Sequence, residues 1–357
     1  MSELNTTTCQ RWHVIERGAL DRFHPMLDFE MRYPENWFAP LEQHPEALAI
    51  EEDTIAWMRG LGLLPRADQE ALARAMCPRF YGGCTSSTLS FDASLLYTEY
   101  LSMWLLWDDE VVECAASLDE LEADFLAMSG VGGTGKNEPA YRRAWREIGD
   151  GIERLGGSAA LRQRWVESMR NYASPALVEA QYRNLPPDED RRAFDDALQM
   201  RILTIGVLPA ITYLEACCGI ELPAALTETP AYKTLANAGA AVQGLQNDLA
   251  SLPKDGLKQE IATNMVLRYQ RDHDCSLRRA ADAVLRIHDA AVQTMDEATE
   301  MLCEHPVASQ ESRLPEYFDY VRYMETGFGF YHIRSDRYTR QVMIEDGRAF
   351  RLLLRRY

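Results

Sequence analysis

The sequence lacks a long hydrophobic run. Among its 357 residues no apolar stretch approaches the roughly 20 residues that a membrane-spanning helix requires. The first twenty residues, MSELNTTTCQRWHVIERGAL, contain no apolar segment of signal-peptide length. We therefore expect a cytoplasmic protein with no membrane anchor.

Paired cysteines and positive charge are also scarce. The 8 cysteines form no CxxC pair and follow no regular spacing in a chain too long for a disulfide scaffold, so we expect reduced, mostly buried thiols. The 37 Lys and Arg residues are outnumbered by 55 Asp and Glu residues, giving a net charge of -18. Nucleic acid and anionic membranes are disfavoured as partners, because binding many phosphates needs a basic face. A small anionic substrate requires metal ions or a local cluster of Arg and Lys.

A convincing strand pattern of alternating apolar and polar residues is missing as well. Apolar residues instead recur at three- and four-residue spacing almost throughout, which predicts an all-α protein. We expect one helical domain over residues 1–357, with an N-terminal segment 1–66, about ten helices and a basic C-terminal tail 339–357. The predicted helices are 67–76, 94–114, 119–128, 139–155, 159–184, 189–219, 230–251, 257–272, 275–304 and 316–338.

The segment GVGGTGKN, residues 130–137, nearly matches a phosphate-binding loop. Asn137 stands where a Ser or Thr would hold magnesium, and the preceding LDELEADFLAM is an acidic amphipathic helix instead of a strand. We therefore interpret this segment as a connection between helices.

Four carboxylates end the most apolar helix, in LLWDDEVVEC at residues 105–114. Asp109 and Glu113 are four residues apart and so share a helix face, with Asp108 at its edge. Clustered carboxylates at the mouth of an apolar cavity are tolerable mainly when a hard cation such as Mg²⁺ neutralises them. The alternative is a solvated acidic helix end that binds nothing. The side chains predicted to line the cavity one to two turns earlier are Leu101, Trp104 and Leu105.

A second polar stretch, AVQGLQNDLASLPKDG, also carries several side chains with oxygen atoms that can bind a cation. Asn247, Ser251 and Asp255 lie at i, i+4 and i+8, so their three oxygen-bearing side chains follow one helix face. Lys254 can reach a phosphate on metals bound there, and Pro253 can bend the helix before its last ligand. The alternative is a polar helix end without a ligand.

Both stretches resemble known motifs. DDEVVE, residues 108–113, resembles the aspartate-rich motif of class I terpene synthases, and NDLASLPKD, residues 247–255, is similar to their NSE/DTE metal motif. The first departs from DDxxD at Val112, so it matches the DDxxxE variant, and the second ends in Asp instead of Glu. Arg201 lies 46 positions before Asn247, where these enzymes carry an arginine that senses diphosphate. Thr204 falls at the linker of their effector triad.

The end of the chain extends the resemblance. YHIRSDRY supplies Arg337 and Tyr338, which match the terminal RY pair that closes on diphosphate, and Tyr331 where an aromatic side chain often lines the cavity. The four ordered motifs span residues 108–338, most of the protein. The resemblance implies the class I terpenoid synthase fold, a helical bundle around a central apolar cavity.

The resemblance also implies an activity. In that family three Mg²⁺ ions, held here by Asp108, Asp109, Glu113, Asn247, Ser251 and Asp255, would bind the diphosphate of a linear isoprenoid. Hydrogen bonds to that diphosphate are expected from Arg201, Lys254, Arg337 and Tyr338. We expect a carbon–oxygen lyase that ionises farnesyl diphosphate, cyclises the cation to a sesquiterpene hydrocarbon or alcohol and releases diphosphate, as a monomer or homodimer. The loop 305–315, the segment around Arg337 and the tail 339–357 are expected to exclude water.

Three alternatives stay open. The substrate can be the twenty-carbon geranylgeranyl diphosphate, which would make the protein a diterpene synthase. A chain-elongating prenyl diphosphate synthase shares the fold, but the only other paired aspartates, Asp195 and Asp196, lack the third acid of its second motif. A non-catalytic helical module that binds partners or calcium at its acidic helix ends is the non-enzyme alternative.

Overall fold

A computed structural model describes residues 26–356 except 66, 77, 116, 133–137, 184, 187–188, 259, 309–311, 336–337, 339–343 and 346–347. This part of the chain contains fourteen α-helices and one small sheet. The all-α prediction is confirmed. The helices outnumber the ten predicted because three were missed and one predicted helix is two.

Among the described residues, seven helices lie in the first half of the chain. One of them, the helix Phe91–Glu110, is capped by Ser90, whose Oγ accepts a hydrogen bond of 3.4 Å from the backbone N–H of Ala93. This capping is typical of a serine that precedes a helix. The helices are α1 (Ala47–Leu61), α2 (Ala67–Ala75), α3 (Pro78–Thr85), α4 (Phe91–Glu110), α5 (Leu118–Met128), α6 (Ala140–Arg154) and α7 (Ala159–Arg183).

The second half contributes seven more helices. They are α8 (Phe194–Thr204), α9 (Val207–Cys218), α10 (Ala224–Thr227), α11 (Pro230–Lys258), α12 (Met265–Asp272), α13 (Leu277–Cys303) and α14 (Leu314–Arg334). Helix α11 continues through Pro253 to Lys258, so the predicted end at residue 251 is wrong. Its length carries the whole second polar stretch on a single helix.

The buried apolar side chains form one contiguous core from Phe29 to Tyr338. Near its centre, Tyr100 stacks on Tyr213 with ring centroids 4.5 Å apart, and Trp165 packs edge-on against both rings. Aromatic pairs in these geometries stabilise a core beyond the area they bury. The cluster holds α4, α7 and α9 together below the acidic end of α4.

A three-stranded sheet joins the two ends of the described chain. Strand β1 (Met26–Tyr33) pairs in parallel with β3 (Arg348–Arg356), and the short β2 (Ile344–Glu345) pairs with β3 in antiparallel fashion. The expectation of no strand is wrong here. In β1, Phe29, Met31 and Tyr33 are buried whereas Glu30 and Arg32 are not, which is the alternation of a strand with one buried face.

The helix predicted at 189–219 is divided in two. Helix α8 ends at Thr204 and α9 begins at Val207, with Gly206 between them in the left-handed conformation, φ +81°. A Cβ atom at this glycine would lie 2.1 Å from the Trp104 ring. The break therefore needs glycine both for its backbone angle and for its contact with α4.

One stretch of the described residues is long and apolar enough to cross a membrane, Phe194–Cys218, with a mean hydropathy of 1.4. It comprises α8 and α9, which the break at Gly206 separates, and 61% of the window is buried inside the bundle. Its hydropathy is accounted for by packing in the protein core.

The glycine-rich segment at 130–137 follows helix α5 and precedes α6. A phosphate-binding loop needs a strand before it, so the interpretation as a connection between helices holds for its surroundings. Residues 133–137 themselves lie outside the described residues.

Candidate active site

One cavity opens where the ends of α4, α8, α11 and α14 approach one another. Both polar stretches of the sequence reach it, although more than a hundred residues separate them in the chain. The predicted site residues that line it are Trp104, Leu105, Asp108, Asp109, Arg201, Thr204, Asn247, Ser251, Lys254, Asp255, Tyr331 and Tyr338.

Three predicted residues are not among the described residues that line the cavity. Leu101 is fully buried in the core and is not among the cavity-lining residues. Arg337 lies outside the described residues. Helix α4 ends at Glu110 and Glu113 follows in a separate 3₁₀ turn, Val112–Cys114, so Asp109 and Glu113 are not part of one continuous helix as predicted. The prediction of a helix to residue 114 is wrong, whereas the side chain of Glu113 lies outside the described residues and its role as a ligand stays a prediction.

Asp108 is held from outside the motif. The hydroxyl of Tyr172, on α7, donates a hydrogen bond to its Oδ1. The Tyr172 ring meets Trp104 edge-on, with centroids 5.2 Å apart. Tyr172 is buried, and a buried hydroxyl bound to a carboxylate fixes the direction of that carboxylate.

The second stretch presents a connected set of oxygens along α11. Ser251 Oγ donates to Asp255 Oδ2 at 2.5 Å, and Asn264 Nδ2 donates to the same oxygen at 2.9 Å. Asn264 is itself fixed, because its Oδ1 caps α12 by accepting from the N–H groups of Val266 and Leu267. The N-terminus of α12 therefore positions the last residue of the stretch.

Arg201 on α8 reaches the first residue of that stretch. Its Nη2 donates to Asn247 Oδ1 at 2.9 Å, and its Nε donates to Asp248 Oδ1 at 2.9 Å. The backbone N–H of Met265 donates to the other oxygen of Asp248 at 2.9 Å. Burial raises the pKa of Asp248 to about 6 in spite of Arg201. Burial alone would lower the pKa of Arg201, but Asp248 and other carboxylates raise it.

The end of α14 closes the same group of contacts. Asn247 Nδ2 donates to the hydroxyl of Tyr338 at 3.1 Å and lies 3.4 Å from Nε2 of His332. Tyr338 packs edge-on against Tyr331, which lies over Tyr81 at 4.5 Å between centroids. The aromatic side of the cavity thus continues directly from its polar side.

Thr204 lies at the end of α8, where the chain breaks. Its hydroxyl donates to Glu179 Oε1 at 2.7 Å, and Glu179 also pairs with Arg183 at 3.2 Å. Arg183 lines the cavity, so the carboxylate of Glu179 joins the end of α8 to a second guanidinium at the site.

Sequence reasoning missed several cavity-lining residues. Arg183, Gln243 and His332 belong to no motif of fixed spacing, but Gln243 and His332 each had a readable signal. Gln243 stands one turn before Asn247 on the same face of α11, and His332 adjoins Tyr331. The further lining residues that were not predicted are Tyr81, Ile205, Asp248, Glu260, Thr263 and Phe328.

The donors present fit a hard divalent cation. Asp108, Asp109, Asn247, Ser251 and Asp255 offer oxygen atoms alone, the ligand type that Mg²⁺ prefers. The amide oxygen of Asn247 already accepts from a guanidinium, so it faces positive charge. No three His, Cys, Asp or Glu side chains among the described residues converge as a metal cluster. Such a site therefore needs further oxygens, of the kind a bound phosphate supplies.

Comparison with known proteins gives a consistent result. Residues 99–294 match the model of the family described as terpene synthase family 2, C-terminal metal binding. The chain is 25% identical over 268 residues to 10-epi-cubebol synthase of Sorangium cellulosum strain So ce56, covering 72% of this chain and 82% of that protein. It is 27% identical over 240 residues to (+)-T-muurolol synthase ((2E,6E)-farnesyl diphosphate cyclizing) of Streptomyces clavuligerus, covering 64% of this chain and 56% of that protein. The fold is similar to hedycaryol synthase in complex with HEPES, with a TM-score of 0.69, 21% identity and coverage of 86% of this chain and 98% of that one.

Proposed function

The chain belongs to the terpene synthase family, and from this membership we propose that it cyclises farnesyl diphosphate to a sesquiterpene hydrocarbon or alcohol. As a terpene synthase it is a lyase, which leaves no place for the non-catalytic module. The proposed substrate follows the relatives, one of which is named for cyclising (2E,6E)-farnesyl diphosphate.

The observation that carries the proposal is the meeting of the two oxygen-rich stretches in one cavity. Asp108 and Asp109 line it from α4, and Asn247, Ser251 and Asp255 line it from α11. We propose that these five residues hold three Mg²⁺ ions, which when bound would neutralise the diphosphate and polarise its bond to carbon. Glu113, whose side chain lies outside the described residues, is proposed as a further ligand from its place in the sequence motif.

Arg201, Lys254 and Tyr338 would bind the diphosphate. All three line the cavity, and their guanidinium, ammonium and hydroxyl groups are able to donate hydrogen bonds to the charge that develops on the leaving group. Arg337 is proposed for the same role from its position beside Tyr338 in the sequence. Binding of this kind lowers the barrier to heterolytic cleavage by electrostatic preorganisation, without acid–base catalysis.

The aromatic side of the cavity would receive the hydrocarbon. Trp104, Tyr81, Phe328 and Tyr331 line it. Aromatic faces stabilise a carbocation without trapping it as a nucleophile would. The cavity walls would also hold the hydrocarbon chain of the substrate in a folded conformation. They would exclude water until the carbocation loses a proton or adds one water.

Incubation with Mg²⁺ and one allylic diphosphate at a time tests the proposal. We expect farnesyl diphosphate alone to yield diphosphate and a volatile cyclic fifteen-carbon product, detected by gas chromatography and mass spectrometry, with activity abolished by a chelator. Turnover of geranylgeranyl diphosphate alone would make the protein a diterpene synthase. A linear product that forms only when isopentenyl diphosphate is added would contradict cyclisation.

Asp195→Asn provides a matched control for the aspartate-rich stretch. Asp195 and Asp196 are exposed in the first turn of α8 and are not among the cavity-lining residues. We expect this variant to keep wild-type turnover, whereas a chain-elongating enzyme that used the pair would lose it.

The further proposal is a monomer or homodimer in the cytoplasm, without a membrane anchor or a nucleic-acid partner.

A further inference from the structure

A second cavity, of about 340 Å³, opens between α1, α4 and the end of α6. Glu99, on its α4 wall, precedes Asp108 by nine residues, which is about two and a half helical turns. The two side chains therefore leave opposite sides of α4, and this cavity is separate from the proposed metal site. Its volume is in the range of sites that hold a small molecule.

Glu99 is the buried polar side chain of this cavity. It lines the cavity and is only 9% exposed, yet its carboxyl makes no hydrogen bond or ion pair within the described part of the chain. Its oxygens are not among the unpaired polar atoms that are sealed in the interior, so they are accessible from the cavity. A buried carboxyl group without a partner is costly, and a ligand in the cavity would supply one.

The charges around Glu99 are mainly negative. Burial raises its pKa to about 8, and of its charged neighbours Arg154 opposes this shift whereas Glu147 and Asp53 add to it. Arg154 is exposed in the last turn of α6 and does not pair with Glu99. With Asp92, three carboxyl groups line the cavity against one guanidinium. In a chain of net charge -18, such a cavity favours a cation.

Trp57 gives the cavity an aromatic wall. Its indole Nε1 donates a 2.8 Å hydrogen bond to Glu147 Oε2, which orients the ring. An aromatic face attracts an organic cation. The remaining lining residues are Leu95, Leu96 and Leu155, so the ligand must present hydrocarbon as well as charge.

A metal ion does not fit this cavity. Within the described part of the chain, no three His, Cys, Asp or Glu side chains converge as metal ligands. An ammonium group needs fewer acceptors, because each of its three N–H bonds can be directed to a carboxylate or to water. An organic ammonium ion therefore matches both the charged and the apolar part of the wall.

We propose that this cavity is a binding site for a small primary amine that carries an apolar group. The ammonium would donate to the carboxylate of Glu99, and the apolar group would pack against Trp57 and the leucines. A bound ammonium favours the ionised carboxylate, so a neutral Glu99 would release its proton to solvent when the amine binds. The site lies apart from the proposed catalytic cavity and does not depend on the proposed reaction.

Isothermal titration calorimetry with phenethylamine tests the site, and phenethyl alcohol serves as a ligand of similar shape without the charge. We expect wild-type protein to bind the amine and to bind the alcohol at least about tenfold more weakly. Glu99→Gln should weaken amine binding by at least about tenfold. Asp53→Asn is the matched control, because Asp53 is an exposed neighbour of Glu99 that does not line the cavity. It should keep the wild-type affinity.

Trp57→Leu is a second variant at a half-buried position, and it decides the question should Glu99→Gln fail to fold. It should also weaken amine binding, because it removes the aromatic wall. Unchanged affinity in the folded variants of this pair overturns the proposal. So does the absence of phenethylamine binding to wild type at millimolar concentration, or equal affinity for the amine and the alcohol.

Asn247→Ala shows which cavity the amine occupies. Asn247 lines the proposed catalytic cavity, so its replacement should leave amine affinity unchanged. Loss of binding in Asn247→Ala with full binding in Glu99→Gln would place the amine in the catalytic cavity and overturn the proposal. None of these titrations requires turnover of farnesyl diphosphate. A failure of the cyclase assay and a failure of amine binding are therefore separate results.

Discussion

The guanidinium of Arg201 and the side-chain amide of Asn247 are in direct contact, with Nη2 donating a 2.9 Å hydrogen bond to Oδ1. The contact joins α8 to the first residue of the second oxygen-rich stretch. Since the same arginine also pairs with Asp248, it holds two consecutive residues of α11 in place. The group proposed to sense diphosphate is thus connected to a group proposed to hold metal.

Replacing Asn247 tests the metal assignment. Asn247→Ala removes an oxygen that faces the cavity, so we expect turnover to fall at least about 100-fold, with weaker Mg²⁺ dependence. Steady-state diphosphate release at increasing Mg²⁺ measures both. Asn237→Ala is the control, because Asn237 is exposed on the same helix. Wild-type activity in Asn247→Ala would refute the assignment.

Tyr172→Phe tests whether the Tyr172 hydroxyl, which donates a hydrogen bond to Asp108, orients the Asp108 carboxylate. The variant keeps the ring against Trp104 and removes one hydrogen bond. We expect the Mg²⁺ concentration for half-maximal turnover to rise about tenfold or more. Tyr141→Phe removes a similar hydrogen bond to Glu110, which is exposed and is not a cavity-lining residue. An equal effect of both variants would contradict a specific role of Tyr172.

Gly206→Ala tests the break between α8 and α9. The new methyl group would collide with the Trp104 ring, and the backbone at φ +81° disfavours any side chain. We expect the free energy of unfolding to fall by about 1–3 kcal/mol in chemical denaturation. Gly60→Ala, in α1 with nothing within 4 Å of the new methyl group, should be neutral or stabilising by about 0.5–1 kcal/mol. Similar losses of unfolding free energy in both variants would show that position 206 has no particular requirement for glycine.

Glu99 gives a pH-dependent prediction. Burial raises its pKa to about 8, against 4.5 in an ordinary glutamate. The folded protein therefore binds this proton more tightly than the unfolded chain does, and the resulting stabilisation is complete below pH 4.5 and lost as the pH rises through 8. Glu99→Gln stays neutral at all pH values. It should be more stable than wild type by about 2–4 kcal/mol above pH 8 and nearly equal to it at about pH 4.

Denaturation of Glu99→Gln and wild type across this pH range measures the difference. Glu52→Gln is the control, because the hydrogen bond from Arg74 lowers the pKa of Glu52. Removing that carboxylate should give no stabilisation at high pH. A pH-independent difference between Glu99→Gln and wild type would contradict the assignment of the raised pKa.

The second oxygen-rich stretch was the most predictable part of the site. The prediction of a shared face required only helical periodicity, and α11 is helical through Asn247, Ser251 and Asp255. The prediction that Asp109 and Glu113 share a helix face depended on where α4 ends. The end of a helix is set by tertiary contacts that residue spacing does not reveal. Tyr172 and Arg183 reach the site through the packing of α7, which no local pattern encodes.

Two errors in the fold differ in how far the sequence could have prevented them. Gly206 and Pro209 interrupt LTIGVLPA, a combination typical of a helix break. The alternation in DFEMRY was short enough to be hidden among helical patterns, and the partner of this strand lies at the other end of the chain. Pairing over such a distance is decided by the assembled fold.

The pairing of Met26 with Ala349 has a consequence for synthesis of the protein. Strand β1 leaves the ribosome before its partner, which emerges roughly 320 residues later, after the fourteen helices of the described residues. Long-range strand pairing of this kind is slow and leaves an edge open in the meantime. The helical bundle can therefore begin to form while β1 is unpaired, and the sheet is completed only when β3 joins it.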